Sequence, residues 1–144
     1  MENSGGNTLK RDIFDEIVKY LDTDNILVLH GARQVGKTHI LYYLEKYLQD
    51  HHRRSCYLDL EDSRLVEMID QGVDFFLAYL TTEGFLPDKN EKLFVLIDEI
   101  QYLTSPSPFL KLLADHHPYL QLIVSGSSSF DIKSKFSDSL VGRT

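Results

Sequence analysis

Cysteine is almost missing from this chain. Cys56 stands alone, so no internal disulfide can form, and its apolar surroundings suit a small buried hydrophobe in a reducing compartment. Long apolar runs are missing too. None approaches the roughly 18 residues of a membrane span, and the polar stretch Met1 to Thr8 has no signal-peptide core. Both absences predict a cytoplasmic chain that is not held in a membrane. Positive charge is scarce: 15 Lys and Arg against 22 Asp and Glu leave a net charge of −7. That balance gives no general attraction to nucleic acid or to an anionic membrane. The one basic cluster, His51-His52-Arg53-Arg54, reads as a solvated loop leaving a helix. No internal repeat is visible.

What is present is the material of one domain. At 144 residues, 42% hydrophobic and 26% charged, the chain is long enough to bury a sizeable core. After a polar tail, Leu9, Ile13, Ile17 and Leu21 repeat at helical spacing with Thr8 as a candidate cap. Strands are predicted at Ile26 to His30, Ser55 to Leu60, Leu93 to Ile97 and Leu120 to Val124. Between them, Ile40 to Leu48 marks one helix. A longer one is capped by Asp62 or Ser63, with Val66, Ile69, Val73, Phe76 and Leu80 on its face and Gly72 weakening it. A further helix starts with Ser107 as cap and Pro108 in its first turn, and Pro118 closes it. Phe130 to Thr144 suggests a short helix and its exit. Alternation of strands and helices implies right-handed crossovers and a parallel sheet covered on both faces. Ligands then bind beyond the carboxyl ends of the strands.

At one such end Gly31-Ala32-Arg33-Gln34-Val35-Gly36-Lys37-Thr38 reads G-x-x-x-x-G-K-[ST], between an apolar strand and an apolar-periodic helix. That is the context a phosphate-binding P-loop requires. Two glycines let the backbone wrap close to a polyphosphate. Amides of Val35 to Thr38 and the positive end of the next helix face the anion. Lys37 reaches the β- and γ-phosphates, the Thr38 hydroxyl ligates Mg²⁺, and the loop continues into His39. Arg33 is a further cation near the phosphates, its side chain directed to solvent or an acidic neighbour. Tyr42 and Tyr43 read as helix-face contacts rather than base-stacking groups.

Leu93 to Glu99 supplies the second half of the site: an apolar strand ending in Asp98, which holds Mg²⁺ through water, and Glu99, placed as general base for the attacking water. Room for a helix, a strand and another helix separates Lys37 from Asp98, so one strand is added in the chain between the two motifs. In the loop after the fourth strand, Ser125-Gly126-Ser127-Ser128-Ser129, a hydroxyl can report on the γ-phosphate, with Ser127 favoured over Ser125 and Ser128. Serine is also common turn chemistry.

Together these residues resemble the AAA+ superfamily, within the additional-strand catalytic-glutamate P-loop ATPases, and above all the prokaryotic AAA-type ATP-binding proteins. Gly31 to Thr38 and Leu93 to Gln101 are the specific stretches; Ile123 to Ser129 and Leu140-Val141-Gly142-Arg143 count through their order and spacing. The resemblance covers the chain from Lys10 onward. It implies a three-layer α/β sandwich with strand order 1-4-3-2, and ATP and Mg²⁺ as cofactors. It also implies a fifth strand and a helical lid beyond Thr144. Residues 1–8 are then a tail, and 9–144 a nucleotide-binding core truncated before those parts. Arg143 resembles an arginine finger acting on a neighbouring subunit, which implies self-association or a protein partner at the ATPase face.

The leading reading is an ATP-binding, slowly hydrolysing switch domain that drives or gates a partner. A nucleotide-stabilised scaffold with little hydrolysis is an alternative. A small-molecule P-loop kinase is another, disfavoured because such a kinase needs no glutamate after the aspartate. A GTPase is less favoured still, since no Asn-Lys-x-Asp stretch occurs.

Overall fold

Four apolar segments meet in one sheet. The computed structural model describes residues 15, 17–21, 23, 26–30, 36–88 and 90–127, with backbone alone at His30 and Lys37. Its strands are β1 (Leu27–His30), β2 (Arg54–Asp59), β3 (Leu93–Asp98) and β4 (Leu120–Gly126), in the spatial order β1-β4-β3-β2. This is the 1-4-3-2 order expected above. Every neighbouring pair is parallel, with Leu29 opposite Ser125, Leu96 opposite Ile123 and Asp59 opposite Asp98. Parallel strands need crossovers, and helices provide them. Helix α1 (Lys37–Asp50) joins β1 to β2, α2 (Ser63–Asp70) and α3 (Val73–Thr82) join β2 to β3, and α4 (Pro106–His116) joins β3 to β4.

Side chains alternate across a strand, and that parity splits the core in two. Val28, Leu58, Val95, Ile97 and Val124 face α2, α3 and α4, where Ile69, Phe76 and Leu110 complete one cluster. Leu27, Leu29, Phe94, Leu96 and Ile123 face the other way and pack with Ile40, Leu41, Leu44 and Leu48 of α1. Ile17 and Leu21 close that second cluster; residues 15 and 17–19 are helical, the part of the predicted Leu9–Leu21 helix that lies among the described residues. Each fully buried Leu, Ile or Phe contributes about 1.5–3 kcal/mol. β3 is buried at every position, which explains why its apolar run shows no alternation.

Several local expectations are corrected. The single helix predicted to run to Leu80 is two helices, α2 and α3, because Gly72 between them takes φ 129 and ψ 169. Only glycine reaches that conformation without strain, so the helix must stop there. Asp62 caps α2 by accepting from the Arg64 amide at 2.9 Å. The cap of α4 is Ser105, not Ser107, with Pro106 rather than Pro108 starting the helix. A 3₁₀ turn at Ile100–Tyr102 follows β3. The basic cluster is not merely solvated: Arg53 lies over the Phe94 ring, 4.7 Å from its centroid, and Arg54 opens β2. Cys56 is buried, and that burial pushes its thiol pKa up to about 12. Among the described residues no helix is long and apolar enough to cross a membrane.

Candidate functional site

The parity that sorts the core also builds the site. Asp98 follows Phe94 and Leu96 at intervals of two, so its carboxylate leaves the end of β3 on the α1 face. Gly36 caps α1 in a left-handed conformation, φ 77 and ψ 32, and its carbonyl accepts from the Ile40 amide at 3.1 Å. The first turn of α1 then brings Thr38 to β3: its Oγ1 donates to Asp98 Oδ2 at 2.8 Å. The two residues given metal-holding roles above are therefore adjacent in space.

Two further hydroxyls hold the same carboxylate. Tyr57, from β2, donates to Asp98 Oδ2 at 2.8 Å, and Ser125, from β4, donates to Asp98 Oδ1. Asp98 is 2% exposed and Ser125 fully buried. Burying a carboxylate is costly unless its lone pairs are satisfied, and here three neutral donors from three elements satisfy them without adding a countercharge. Burial raises the Tyr57 pKa far above its usual range, and the hydrogen bond to Asp98 and its charge raise it further, so this hydroxyl stays a donor. The Tyr42 ring tilts against Tyr57, 5.1 Å between centroids.

Glu99 begins the turn after β3 with φ 63 and ψ 52. A left-handed backbone at a non-glycine residue costs on the order of 1–3 kcal/mol and persists only where its surroundings enforce it. Here the Glu99 amide donates to Ser125 Oγ at 3.0 Å, and the Tyr102 amide returns to the Glu99 carbonyl at 3.2 Å. Its Oε1 accepts from Gln101 Nε2 at 2.6 Å, and Gln101 Oε1 accepts from the Ser127 amide at 3.2 Å.

A cavity of about 440 Å³ opens over these groups, lined by Gly36, Thr38, His39, Tyr42, Asp98 and Glu99, with Asp59 and Glu61 toward β2. Hydroxyl and carboxylate oxygens are hard donors, as Mg²⁺ prefers. No group of three or more His, Cys, Asp or Glu side chains among the described residues could hold a metal. The donor set therefore suits an ion that keeps waters and takes phosphate oxygens as its other ligands.

Of the residues singled out from sequence, Gly36, Thr38, His39, Asp98 and Glu99 meet at this cavity. The backbone of Lys37 starts α1. Gly31, Ala32, Arg33, Gln34, Val35 and Arg143 lie outside the described residues, as do Ser128 and the helix suggested from Phe130. Ser127 contributes its amide to Gln101, whereas Ser125, ranked below it, is the serine on Asp98. No motif assigns Tyr57 or Gln101 a role, yet both reach the acidic pair, Tyr57 at Asp98 and Gln101 at Glu99. Strand parity was the available signal for Ser125 and Tyr57: one lies two residues past Ile123, the other two before Asp59.

Residues 23–144 match the family model described as AAA domain. An uncharacterized protein of Haemophilus influenzae is 26% identical over 137 residues, which is 93% of this chain and 33% of that protein. The chain thus spans about a third of that curated relative's length. Among solved structures, domain III of the Thermotoga maritima replication initiation protein DnaA aligns with TM-score 0.56 and 25% identity, covering 94% of this chain and 57% of that one. AMPPCP-bound DnaA from Aquifex aeolicus aligns with TM-score 0.50 and 17% identity, covering 88% and 40%.

Proposed function

The chain belongs to the AAA domain family, and on that premise we propose that it is the nucleotide-binding core of an ATP-driven switch, binding Mg-ATP and hydrolysing it slowly. One observation carries the reading: the Thr38 hydroxyl and the Asp98 carboxylate, remote in sequence, meet at 2.8 Å beyond the carboxyl ends of a parallel sheet. The Aquifex neighbour holds AMPPCP. That ligand class is carried over on this chain's own residues, because a likeness at 17% identity supports the fold alone.

In this reading the amides before α1 and Lys37 hold the β- and γ-phosphates. Thr38 and Asp98 would hold Mg²⁺, which when bound neutralises charge developing on the phosphate oxygens. Tyr57 and Ser125 fix the Asp98 carboxylate so that it does not rotate away. Glu99 takes a proton from the attacking water on Oε2, the oxygen left over by Gln101. The end of β4 at Ser125 and the following Ser127 touch Asp98 and, through Gln101, Glu99. A hydroxyl there, Ser127 included, would relay the presence of the γ-phosphate to a partner protein or a second copy.

Calorimetry tests the binding half: Lys37→Ala abolishes Mg-ATP affinity, and an unchanged affinity overturns the cradle. Phosphate release tests the chemistry: Glu99→Gln keeps affinity and loses turnover, and full turnover in that variant removes Glu99 from the mechanism.

A further inference from the structure

We propose that Gln101 is a positioning residue: its side-chain amide clamps the Glu99 carboxylate to the carboxyl end of β4, so that Glu99 and the segment Ser125 to Ser127 move as one unit. The inference rests on the role given to Glu99 above and adds the group that aims it.

A glutamate has a long side chain with several rotamers, and fixing one costs entropy that some contact must offset. At Glu99 that contact is the 2.6 Å bond from Gln101 Nε2 to Oε1. It is a charge-assisted hydrogen bond, of the stronger kind. It occupies one carboxylate oxygen and leaves the other for the cavity that Glu99 lines. Gln101 sits in the 3₁₀ turn immediately after Glu99, which fixes where its own side chain begins. The far end of the same amide is fixed as well, since Gln101 Oε1 accepts from the Ser127 amide at 3.2 Å. A primary amide can donate and accept at once. Gln101 does both, and bridges two segments that are adjacent in the sheet but separate in sequence.

The bridge closes a ring. Ser125 Oγ donates to Asp98 and accepts from the Glu99 amide; Gln101 joins the Glu99 side chain to Ser127. Glu99 is thus tied to β4 twice, by backbone through Ser125 and by side chain through Gln101. While both bonds hold, a shift of the carboxyl end of β4 drags the Glu99 carboxylate, and a carboxylate drawn toward a ligand in the cavity pulls on Ser127. Sensing and proton transfer then share one mechanical element.

Two variants separate the halves of the clamp. Gln101→Met keeps the shape and removes both bonds. Gln101→Glu keeps an acceptor for the Ser127 amide but removes the donor to Glu99 and places a like charge beside it. Both are expected to hold Mg-ATP within twofold of the unaltered chain's Kd and to lose at least tenfold in kcat, Gln101→Glu the more. Provided that Glu99→Gln has lost turnover, an unaltered rate in Gln101→Glu would overturn the clamp, as would a Kd that weakens in step with kcat. A second measurement needs no turnover: in amide NMR spectra Glu99→Ala displaces the Ser127 backbone resonance, and in a Gln101→Met background the displacement is lost. A Ser127 shift that persists in that background refutes the tie. If Glu99→Gln hydrolyses normally while the NMR tie is present, the role of Glu99 falls and the clamp stands.

Discussion

At the amino end of the sheet the cations are directed at carbonyls, side chains and a ring of the protein itself, whereas at the carboxyl end a carboxylate is held by hydroxyls. Arg54 donates through Nη1 to the Leu86 carbonyl at 2.7 Å and through Nη2 to the Glu91 carbonyl at 2.8 Å. Lys92 reaches the Thr23 carbonyl at 3.3 Å and the buried Gln121. Arg53 covers the Phe94 ring. Those contacts pin connecting segments to the strands, and their charge is directed at protein groups. Asp98 is treated in the opposite way, with Thr38, Tyr57 and Ser125 satisfying its oxygens through neutral donors. One end is finished as structure, whereas the other gathers three elements around the carboxylate to which the proposed function gives Mg²⁺.

That contrast makes the two ends respond differently to mutation. The largest stability loss is expected at the amino end: Arg54→Met removes two charge-assisted bonds and destabilises by about 3 kcal/mol, with Mg-ATP affinity within twofold of the unaltered chain. Denaturant melts with calorimetry check both, and a large loss of affinity would erase the distinction. Asp98→Ala inverts the pattern: affinity for Mg-ATP falls about 10–100-fold, the range seen when a metal site loses an orienting carboxylate. Titrations with and without Mg²⁺ measure it, and an affinity that keeps its full Mg²⁺ dependence would contradict the placement. Ser125→Ala leaves the buried Asp98 Oδ1 and the Glu99 amide without their shared partner, an expected cost of about 1–2 kcal/mol together with loss of turnover. Tyr57→Phe is the mildest, about 1 kcal/mol or less, because Thr38 still donates to the same oxygen. A larger penalty for Tyr57→Phe than for Ser125→Ala would reverse the ranking.

Much of this was legible before any coordinates. Contiguous apolar runs such as Leu93 to Ile97 mark central parallel strands, and the 1-4-3-2 order, which only the family resemblance implies, is the one observed. Thr38 and Asp98 could be paired because both motifs fall at carboxyl ends of strands. The misses have local causes. Helical periodicity runs through Gly72, but one positive φ overrides it. Ser105 and Ser107 both precede a proline, and composition does not choose between them. The basic cluster does leave α1 as a turn at His51 and His52, but Arg53 and Arg54 are half-buried against partners, Phe94 and the Leu86 and Glu91 carbonyls, that are distant in sequence. Ser125 reads as a loop residue in the sequence, but β4 runs on to Gly126 and puts that serine inside the strand, where parity aims it at Asp98. Gln101 gives no signal in a single chain, since its two bonds depend on a 3₁₀ turn that periodicity does not announce.

The pairing of β1 with β4, Leu27 beside Ile123 and Leu29 beside Ser125, has a kinetic corollary. The strand that leads into the glycine turn is synthesised early, yet its neighbour in the sheet is the latest of the four to leave the ribosome. Closing so long a loop is entropically slow, and contacts of high sequence separation form late. β1 must therefore wait for nearly all of the described chain before it has a ladder to join. Competence to bind nucleotide would then arise late in folding and serve as a readout that β4 has joined β1.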